Sequence, residues 1–189
     1  MTDTYFTQDW FNHNSRGLWS TMLRPYRGKP NVKVLEIGCF EGRASLWLML
    51  NILFHPSSTL TVVDTFTGET QASYPADYPG IEAIFDRNLA AFTKQIKKYK
   101  GFSADIVPTL PKQSYDFVYV DGCHEKEEVY TDGMNAILHA VKKGGLVCFD
   151  DYQSGYEPTY LGISKVLEDC QDKIEVINVG YQVWCKVLP

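Results

Sequence analysis

Short apolar runs alternate with longer amphipathic stretches along this 189-residue chain. Runs rich in β-branched and aromatic residues predict strands at residues 32–37, 60–63, 102–107, 115–120, 146–149, 174–179 and 181–187. Apolar residues at helical spacing predict helices over residues 41–54, 81–99, 125–143 and 162–170. Pro, Gly and Tyr dominate residues 65–80, which are expected to form a loop.

This alternation predicts an α/β fold with a mostly parallel sheet and helices on both of its faces. Only Gly180 separates the last two predicted strands, so we expect them to pair antiparallel. Sheets of this kind bind their ligands beyond the carboxyl ends of the strands. The residues to inspect are therefore those at the predicted strand ends: Gly38, Asp64, Asp105, Asp121, Asp150 and Asp151.

Composition and charge narrow the class of protein. Apolar residues make up 44% of the chain and charged residues 22%, as in a globular protein of one domain. The net charge of −5 disfavours nucleic acid as the main partner. Residues 1–10 are polar, unlike a secretory signal, and the longest apolar runs are too short to predict a membrane span. The 5 cysteines, without a CxxC pair, predict reduced thiols and a cytoplasmic location.

The first strand-to-helix turn carries residues suited to a ligand site. Glycines at Gly38 and Gly42 let the backbone turn sharply and approach a ligand closely. Asp64 ends the next predicted strand, where an acid can accept hydrogen bonds from ribose hydroxyls. Phe40 stands where a dinucleotide-binding turn has its middle glycine, which counts against a pyrophosphate site. A tight turn without a ligand is the alternative.

Five segments together resemble the class I S-adenosylmethionine-dependent methyltransferases, and more narrowly the branch with macrocin O-methyltransferases and cephalosporin-hydroxylase-like proteins. They are VLEIGCFEGRAS (34–45), VVDTF (62–66), SADIVPTLP (103–111), YDFVYVDGCHE (115–125) and KKGGLVCFDDY (142–152). The resemblance implies a Rossmann-like sheet of seven strands, mostly parallel, with an antiparallel last strand. We expect residues 1–30 to form an N-terminal helical or lid segment and residues 31–189 the methyltransferase domain.

The resemblance also implies a site for S-adenosylmethionine. Glu36 and Gly38 would approach the methionine part of the cofactor, and Asp64 would hold the ribose. Ser103 and Ala104 would flank the adenine, although an ordinary loop serine is the alternative for Ser103. The remaining expected contacts are Phe66, which could pack on the adenine, together with Gly42, Thr65 and Asp121.

In the strand order that the resemblance implies, the strand ending at Asp121 lies beside the strand ending at Asp150. Neighbouring strands are about 4.8 Å apart, so Asp121, Asp150 and Asp151 should crowd together. A divalent cation commonly relieves such repulsion, and carboxylate oxygens suit Mg²⁺, Mn²⁺ or Ca²⁺. We therefore expect these three residues to bind a metal. In the alternative, Asp121 touches only the cofactor and Asp150 caps a loop.

His124 lies three residues after Asp121, in the loop before a predicted helix. Imidazole is the side chain best suited to accept a proton near neutral pH. We expect His124 to act as general base, with Asp121 as the second catalytic residue. A histidine that caps the helix is the alternative.

These features predict an S-adenosylmethionine-dependent O-methyltransferase that acts, with a divalent metal, on a hydroxyl of a sugar, glycan or glycosylated small molecule. The rival functions are a catechol-type O-methyltransferase, a hydroxylase-like relative and a non-catalytic cofactor-binding partner protein. We expect a small-molecule or glycan substrate and neither nucleic acid nor a membrane as partner. The chain is expected to form a homo-oligomer or to belong to a larger multidomain protein.

Two further clusters have open interpretations. Lys94, Lys97, Lys98 and Lys100 are expected near a helix end, facing water and complementing the helix dipole, with contact to RNA or phosphate as the alternative. The aromatic residues within 3–19 would cover the sheet edge, contact a partner subunit or form a lid over the acceptor pocket.

Overall fold

The computed structural model describes residues 4–11, 15–68 and 80–189. The strands of this part of the chain are β1 (Lys33–Ile37), β2 (Thr59–Asp64), β3 (Ile96–Lys100), β4 (Tyr115–Val120), β5 (Val141–Phe149), β6 (Ile174–Val179) and β7 (Val183–Val187). The α-helices are α1 (Arg16–Met22), α2 (Arg43–Asn51), α3 (Ile81–Asn88), α4 (Ser103–Ile106), α5 (Lys126–Asn135) and α6 (Glu157–Asp169). Most of the loop predicted at residues 65–80 lies outside the described ranges.

The seven strands form a single sheet in the order β3-β2-β1-β4-β5-β7-β6. β1 pairs parallel with β2 and β4, and the outer pairs β2–β3 and β4–β5 are also parallel. β7 runs antiparallel to both of its neighbours, β5 and β6. The predicted fold class, with its antiparallel last strand, is confirmed.

Two apolar cores lie on opposite faces of the sheet because successive strand residues point to opposite sides. On one face, Val34 packs in a core with Trp19 of α1 and Leu48 of α2. On the other face, Leu35 packs in a core with Val129 of α5 and Ile163 of α6. Helices therefore cover both faces, as the sequence predicts.

The single helix predicted over residues 81–99 is wrong in its second half. α3 ends at Asn88, and Ile96–Lys100 form the edge strand β3, paired with β2 from Leu60↔Ile96 to Asp64↔Lys100. The predicted lysine cluster consequently lies largely on a strand and not at a helix end. Lys98 bonds to Glu82 and Asp86 at 2.9 and 2.6 Å, so opposite charges on α3 neutralise part of this edge.

The strand predicted at residues 102–107 is also wrong. Ser103–Ile106 form α4, and a 3₁₀ turn continues over Val107–Thr109 with a proline in its first turn, where proline is compatible with helical geometry. Asp105 therefore lies on a helix, not at a strand end. β3 forms this edge of the sheet instead.

The N-terminal segment covers a face of the sheet. The fully buried Trp19 ring packs edge-on against Phe117 and Tyr119 of β4, with ring centroids 5.5 and 4.7 Å away, and against Trp184 of β7 at 6.0 Å. Three locations were expected for these aromatics, and Trp19 contacts one of them, the sheet. It packs on a face of the sheet and not at its edge. Among the described residues, none of the helices combines the length and the apolar character needed to cross a bilayer.

Candidate functional site

A cavity of about 520 Å³ opens beyond the carboxyl ends of the central parallel strands. This is the location that the fold class predicts for a ligand. Its wall contains most of the predicted cofactor residues: Glu36, Gly38, Asp64, Thr65, Ser103, Ala104 and Asp121. The catalytic candidate His124 is also on this wall.

Gly38 is required where β1 turns toward the cavity. Its φ of +81° is in the left-handed region, and an added Cβ would overlap the backbone carbonyl of Asp121. At Gly42, which also has a φ of +81°, an added Cβ would meet Leu89 and Phe85. Gly42 thus serves packing against the α3 side of the core, and it is not among the described lining residues of the cavity.

Asp64 shapes the turn with both of its carboxylate oxygens. Oδ2 accepts the backbone N–H groups of Cys39 and Phe40 at 2.7 and 2.9 Å, and Oδ1 accepts that of Phe66 at 2.6 Å. A carboxylate offers roughly four lone-pair positions, so three of them are used. The remaining capacity suits one ribose hydroxyl, which makes the predicted ribose contact compatible with this structural role.

The expected stacking of Phe66 on an adenine is not what the structure shows. Phe66 is buried in the core against Phe85, with ring centroids 5.5 Å apart, and is not among the described lining residues. Phe102 lies on the cavity wall next to Ser103, and 71% of it is exposed. Sequence reasoning missed Phe102 because it placed this residue inside a strand; its position directly before the Ser103–Ala104 motif was the available signal.

Two buried carboxyl groups flank the cavity. Ser45 donates a hydrogen bond of 2.5 Å to Glu36, and burial raises the pKa of Glu36 to about 8. Asp132 of α5 accepts a hydrogen bond from Ser103, and burial raises the pKa of Asp132 to about 6. Asp132 was not singled out in the sequence, since nothing distinguishes it there from the other acids of a helical stretch.

The two predicted acids at the end of β5, Asp150 and Asp151, point in different directions. Asp150 faces inward: its Oδ2 lies 2.6 Å from the Tyr119 hydroxyl, and its Oδ1 accepts a 3.0 Å hydrogen bond from Gln182. The same hydroxyl lies 2.9 Å from Oδ2 of Asp121. A phenol has one proton to donate, so it can serve both carboxyl groups only if one of them is protonated.

Burial favours the protonated form more strongly at Asp150 than at Asp121. Burial, followed by the charges of Asp121 and Asp151, raises the pKa of Asp150 well above its ordinary value. Burial raises the pKa of Asp121 only to about 6, because bonding to His124 opposes it. Both carboxyl oxygens of Asp150 are bonded to Tyr119 and Gln182, which separates it from the other two predicted ligands.

Asp151 faces His124. Its Oδ2 lies 3.0 Å from Nε2 of His124, and its Oδ1 accepts a hydrogen bond from the Tyr181 hydroxyl. Burial acts to raise the pKa of Asp151, but the bond and charge of His124 outweigh it and lower that pKa. The same Nε2 lies 3.8 Å from Oδ1 of Asp121.

This grouping fits a divalent cation with a changed ligand set. One donor atom each from Asp121, His124 and Asp151 lie within 4.8 Å of one another. The two carboxylates suit a divalent metal, and the imidazole can serve either as a third ligand or as a proton acceptor, because one nitrogen lone pair cannot do both. The helix-cap alternative for His124 is not supported, because Glu125 holds the N-cap position of α5 and the His124 ring faces Asp151.

Residues 5–11 form a further wall of the cavity. Thr7 donates its backbone N–H and its hydroxyl to the buried Glu41 carboxylate, both at 2.7 Å. Arg43 pairs with Asp9 at 3.0 Å. The residues that this segment adds to the cavity lining are Phe6, Gln8, Trp10 and Phe11.

A protein-family model described as a methyltransferase domain matches residues 35–152. This range includes the glycine turn, Asp64 and the acidic cluster formed by Asp121, Asp150 and Asp151. The chain belongs to this methyltransferase family. Together with the strand order, the match confirms the class I S-adenosylmethionine-dependent methyltransferase fold implied by the sequence motifs.

An uncharacterised protein of Acanthamoeba polyphaga mimivirus is 28% identical to this methyltransferase over 153 residues. The alignment covers 76% of this chain and 62% of the viral protein, so the chain spans less than two thirds of that relative's length.

Three solved structures share the fold. The O-methyltransferase NovP superposes with a TM-score of 0.65 at 21% identity, covering 85% of this chain and 73% of NovP. TomG of Streptomyces achromogenes, an O-methyltransferase solved with S-adenosylmethionine, gives 0.65 at 17% identity, with coverages of 91% and 78%. CalS11, a TDP-rhamnose 3′-O-methyltransferase, gives 0.58 at 17% identity, with coverages of 89% and 77%. Identities at this level show the fold alone.

Proposed function

We propose that this methyltransferase transfers the methyl group of S-adenosylmethionine to a hydroxyl of a sugar, glycan or glycosylated small molecule, assisted by a divalent cation. The observation that carries the proposal is the cluster of Asp121, His124 and Asp151, which reaches the wall of the same cavity as the Gly38 turn. In this proposal the cluster supplies a proton acceptor and cation ligands beside the expected position of the cofactor.

The residues around the cavity fit the parts of the cofactor. Glu36 and Gly38 lie where its methionine part would approach, and the unused lone pair of Asp64 suits the ribose. Phe102 and Ser103 offer an aromatic face and a hydroxyl for the adenine. The sulfonium supplies the reactive methyl group when bound, so the chain's own work is to position the acceptor and remove its proton.

His124 is the group for proton removal. An alcohol is a poor nucleophile at neutral pH, and a positioned imidazole accelerates its deprotonation. Asp151 orients the ring through its 3.0 Å contact to Nε2. Asp121 and Asp151 supply carboxylate oxygens for a divalent cation, which when bound lowers the pKa of a hydroxyl and fixes neighbouring oxygens.

A divalent cation held by Asp121 and Asp151 could take two neighbouring hydroxyl oxygens as further ligands, and both sugars and catechols carry such hydroxyls. One comparison favours the sugar-like acceptor. CalS11, which shares the fold, methylates a rhamnose hydroxyl. The net charge of −5 and the acidic cavity wall, with Glu127 and Glu128 beside His124, disfavour a polyanionic acceptor such as RNA.

The test is mass spectrometry of an acceptor library incubated with S-adenosylmethionine, with and without chelator. Sugars and glycosides should gain one methyl group, and the gain should fall with chelator and return with added Mg²⁺ or Mn²⁺. Products confined to catechols would replace the sugar proposal by the catechol-type function. Cofactor binding without any product would support the non-catalytic alternative.

A further inference from the structure

A buried chain of hydrogen bonds connects the N-terminal helix α1 to the acidic cluster. Nε1 of Trp19 donates to Oε1 of Gln182 at 2.9 Å, and Nε2 of Gln182 reaches Oδ1 of Asp150 at 3.0 Å. The same Gln182 amide nitrogen also lies 2.9 Å from the Ser15 hydroxyl. Gln182 thus joins α1 to the end of β5.

Tyr119 continues this chain to the cavity. Its hydroxyl lies 2.6 Å from Asp150 and 2.9 Å from Asp121. Trp19, Gln182 and Tyr119 are each 1% exposed or less, so bulk water does not compete for these bonds. Hydrogen bonds in such an interior restrict side-chain rotation more strongly than bonds at a wet surface.

We propose that Tyr119 and Gln182 are positioning residues of the methyltransferase site. They hold Asp150 inward, and through Tyr119 they fix one oxygen of Asp121, so that the other oxygen faces His124. The orientation of Asp121 then depends on the docking of α1 through Trp19. The expected effect on kcat rests on the proposed function, whereas the expected effect on the orientation of Asp121 does not.

The register of the sheet supports this assignment. β5 and β7 are antiparallel with Phe149 opposite Val183, so Asp150 and Asp151 lie beside Gln182 and Tyr181. Gln182 binds Asp150, and Tyr181 binds Asp151. The consecutive residues Tyr181 and Gln182 therefore fix the orientations of the consecutive acids Asp151 and Asp150, with one partner for each carboxyl group.

Tyr115 provides a matched control on the same strand. It is also buried, but its hydroxyl bonds to Thr61 at 3.3 Å, in the core on the other face of the sheet from Tyr119. Either substitution removes a phenolic hydroxyl that is hydrogen-bonded in the interior, with two partners at Tyr119 and one at Tyr115. Only Tyr119→Phe removes a contact to the acidic cluster.

The experiment compares Tyr119→Phe, Tyr115→Phe and wild type by kinetics, thermal unfolding and crystal structures. We expect Tyr119→Phe to lower kcat by about 10- to 100-fold, the scale of a misplaced catalytic group, with the KM for S-adenosylmethionine close to wild type. Tyr115→Phe should keep the wild-type kcat. The crystal structure of Tyr119→Phe should show the Asp121 carboxylate in a changed rotamer.

Equal kcat values for the two variants, or an unmoved Asp121 in Tyr119→Phe, would overturn the inference. If wild type itself methylates none of the acceptors, the proposed function fails, and the position of Asp121 in the crystal structures still decides the inference. Should Tyr119→Phe not fold, Gln182→Met breaks the same chain one step earlier, and it should likewise move Asp150 and lower kcat.

Discussion

Oδ2 of Asp151 lies 3.0 Å from Nε2 of His124, while the preceding residue, Asp150, faces the opposite way toward Tyr119 and Gln182. Two adjacent acids with similar sequence surroundings thus have different environments. His124 lowers the pKa of Asp151, whereas burial raises the pKa of Asp150 well above its ordinary value. This division governs how the site responds to substitution.

Asparagine substitutions should separate the two acids. Asp150→Asn replaces a protonated carboxyl by a neutral group of the same shape, which can accept from Gln182 and donate to Tyr119. We expect it to keep activity within about tenfold of wild type, whereas Asp151→Asn removes a charge from the cluster and should cost about 100-fold or more in kcat.

Steady-state kinetics and Mn²⁺ titration of both variants check this prediction. Asp151→Asn should bind Mn²⁺ more weakly than Asp150→Asn. If Asp150→Asn loses as much metal affinity and activity as Asp151→Asn, then Asp150 is an ionised ligand and its assignment as the neutral partner is wrong.

His124→Ala should lower kcat by about 10²–10⁴, the usual effect of losing a positioned proton acceptor. Affinity for S-adenosylhomocysteine, measured by calorimetry, should hardly change. A variant with normal kcat would exclude His124 as the base, and a loss of Mn²⁺ binding would assign Nε2 as a metal ligand instead.

Asp64→Ala should destabilise the fold as well as the cofactor site. The substitution leaves the N–H groups of Cys39, Phe40 and Phe66 without their acceptor, at an expected cost of at least about 2 kcal/mol in the free energy of unfolding. Denaturant unfolding measures this cost. Asp86→Ala is the control, because Asp86 is an exposed acid paired with Lys98 and its loss should be nearly neutral. Equal stabilities of the two variants would contradict the role of Asp64 in the turn.

The raised pKa of Asp132 predicts how the free energy of unfolding depends on pH. Its pKa rises from 3.8 to about 6 on folding, so the folded state holds the proton more tightly than the unfolded state. The stability that this provides is fully present below pH 4 and is lost as pH rises through about 6. Asp132→Asn avoids that loss, and at pH 7 it should be more stable than wild type by about 2–3 kcal/mol.

Unfolding measured from pH 4 to pH 8 tests this sign. The advantage of Asp132→Asn should vanish near pH 4. Asp169→Asn should differ from wild type in the opposite direction, because Lys165 lowers the pKa of Asp169. A pH-independent difference between Asp132→Asn and wild type would show that the carboxyl group is not protonated on folding.

The ends of β1, β2, β4 and β5 were predictable from sequence because each of these apolar runs stops at a glycine or an acid. Gly38, Asp64 and Asp121 accordingly lie on the cavity wall. β3 was missed because its sequence, IKKYK, has no apolar run; an exposed edge strand buries little, and its pairing with β2 determines its structure. Sequence-based reasoning therefore located the carboxyl edge of the sheet but not its outermost strand.

The partners of the acidic cluster were not predictable in the same way. Tyr119 is an inward residue of a strand, and Gln182 follows a turn far along the chain. Their contacts with Asp150 exist only once β4, β5 and β7 are side by side. Adjacent acids in a sequence carry no signal of which one faces inward, so Asp150 was predicted to group with Asp121 and Asp151, where the structure groups His124 with them.

Calorimetric titration of the protein with S-adenosylmethionine, S-adenosylhomocysteine and NAD tests the central claim, that this cavity holds the methyl donor of a methyltransferase. The structure predicts micromolar binding of S-adenosylmethionine or its demethylated product and much weaker binding of NAD, because Phe40 and the Gly38 turn do not form a pyrophosphate cradle. Tighter binding of NAD than of S-adenosylmethionine would contradict the account.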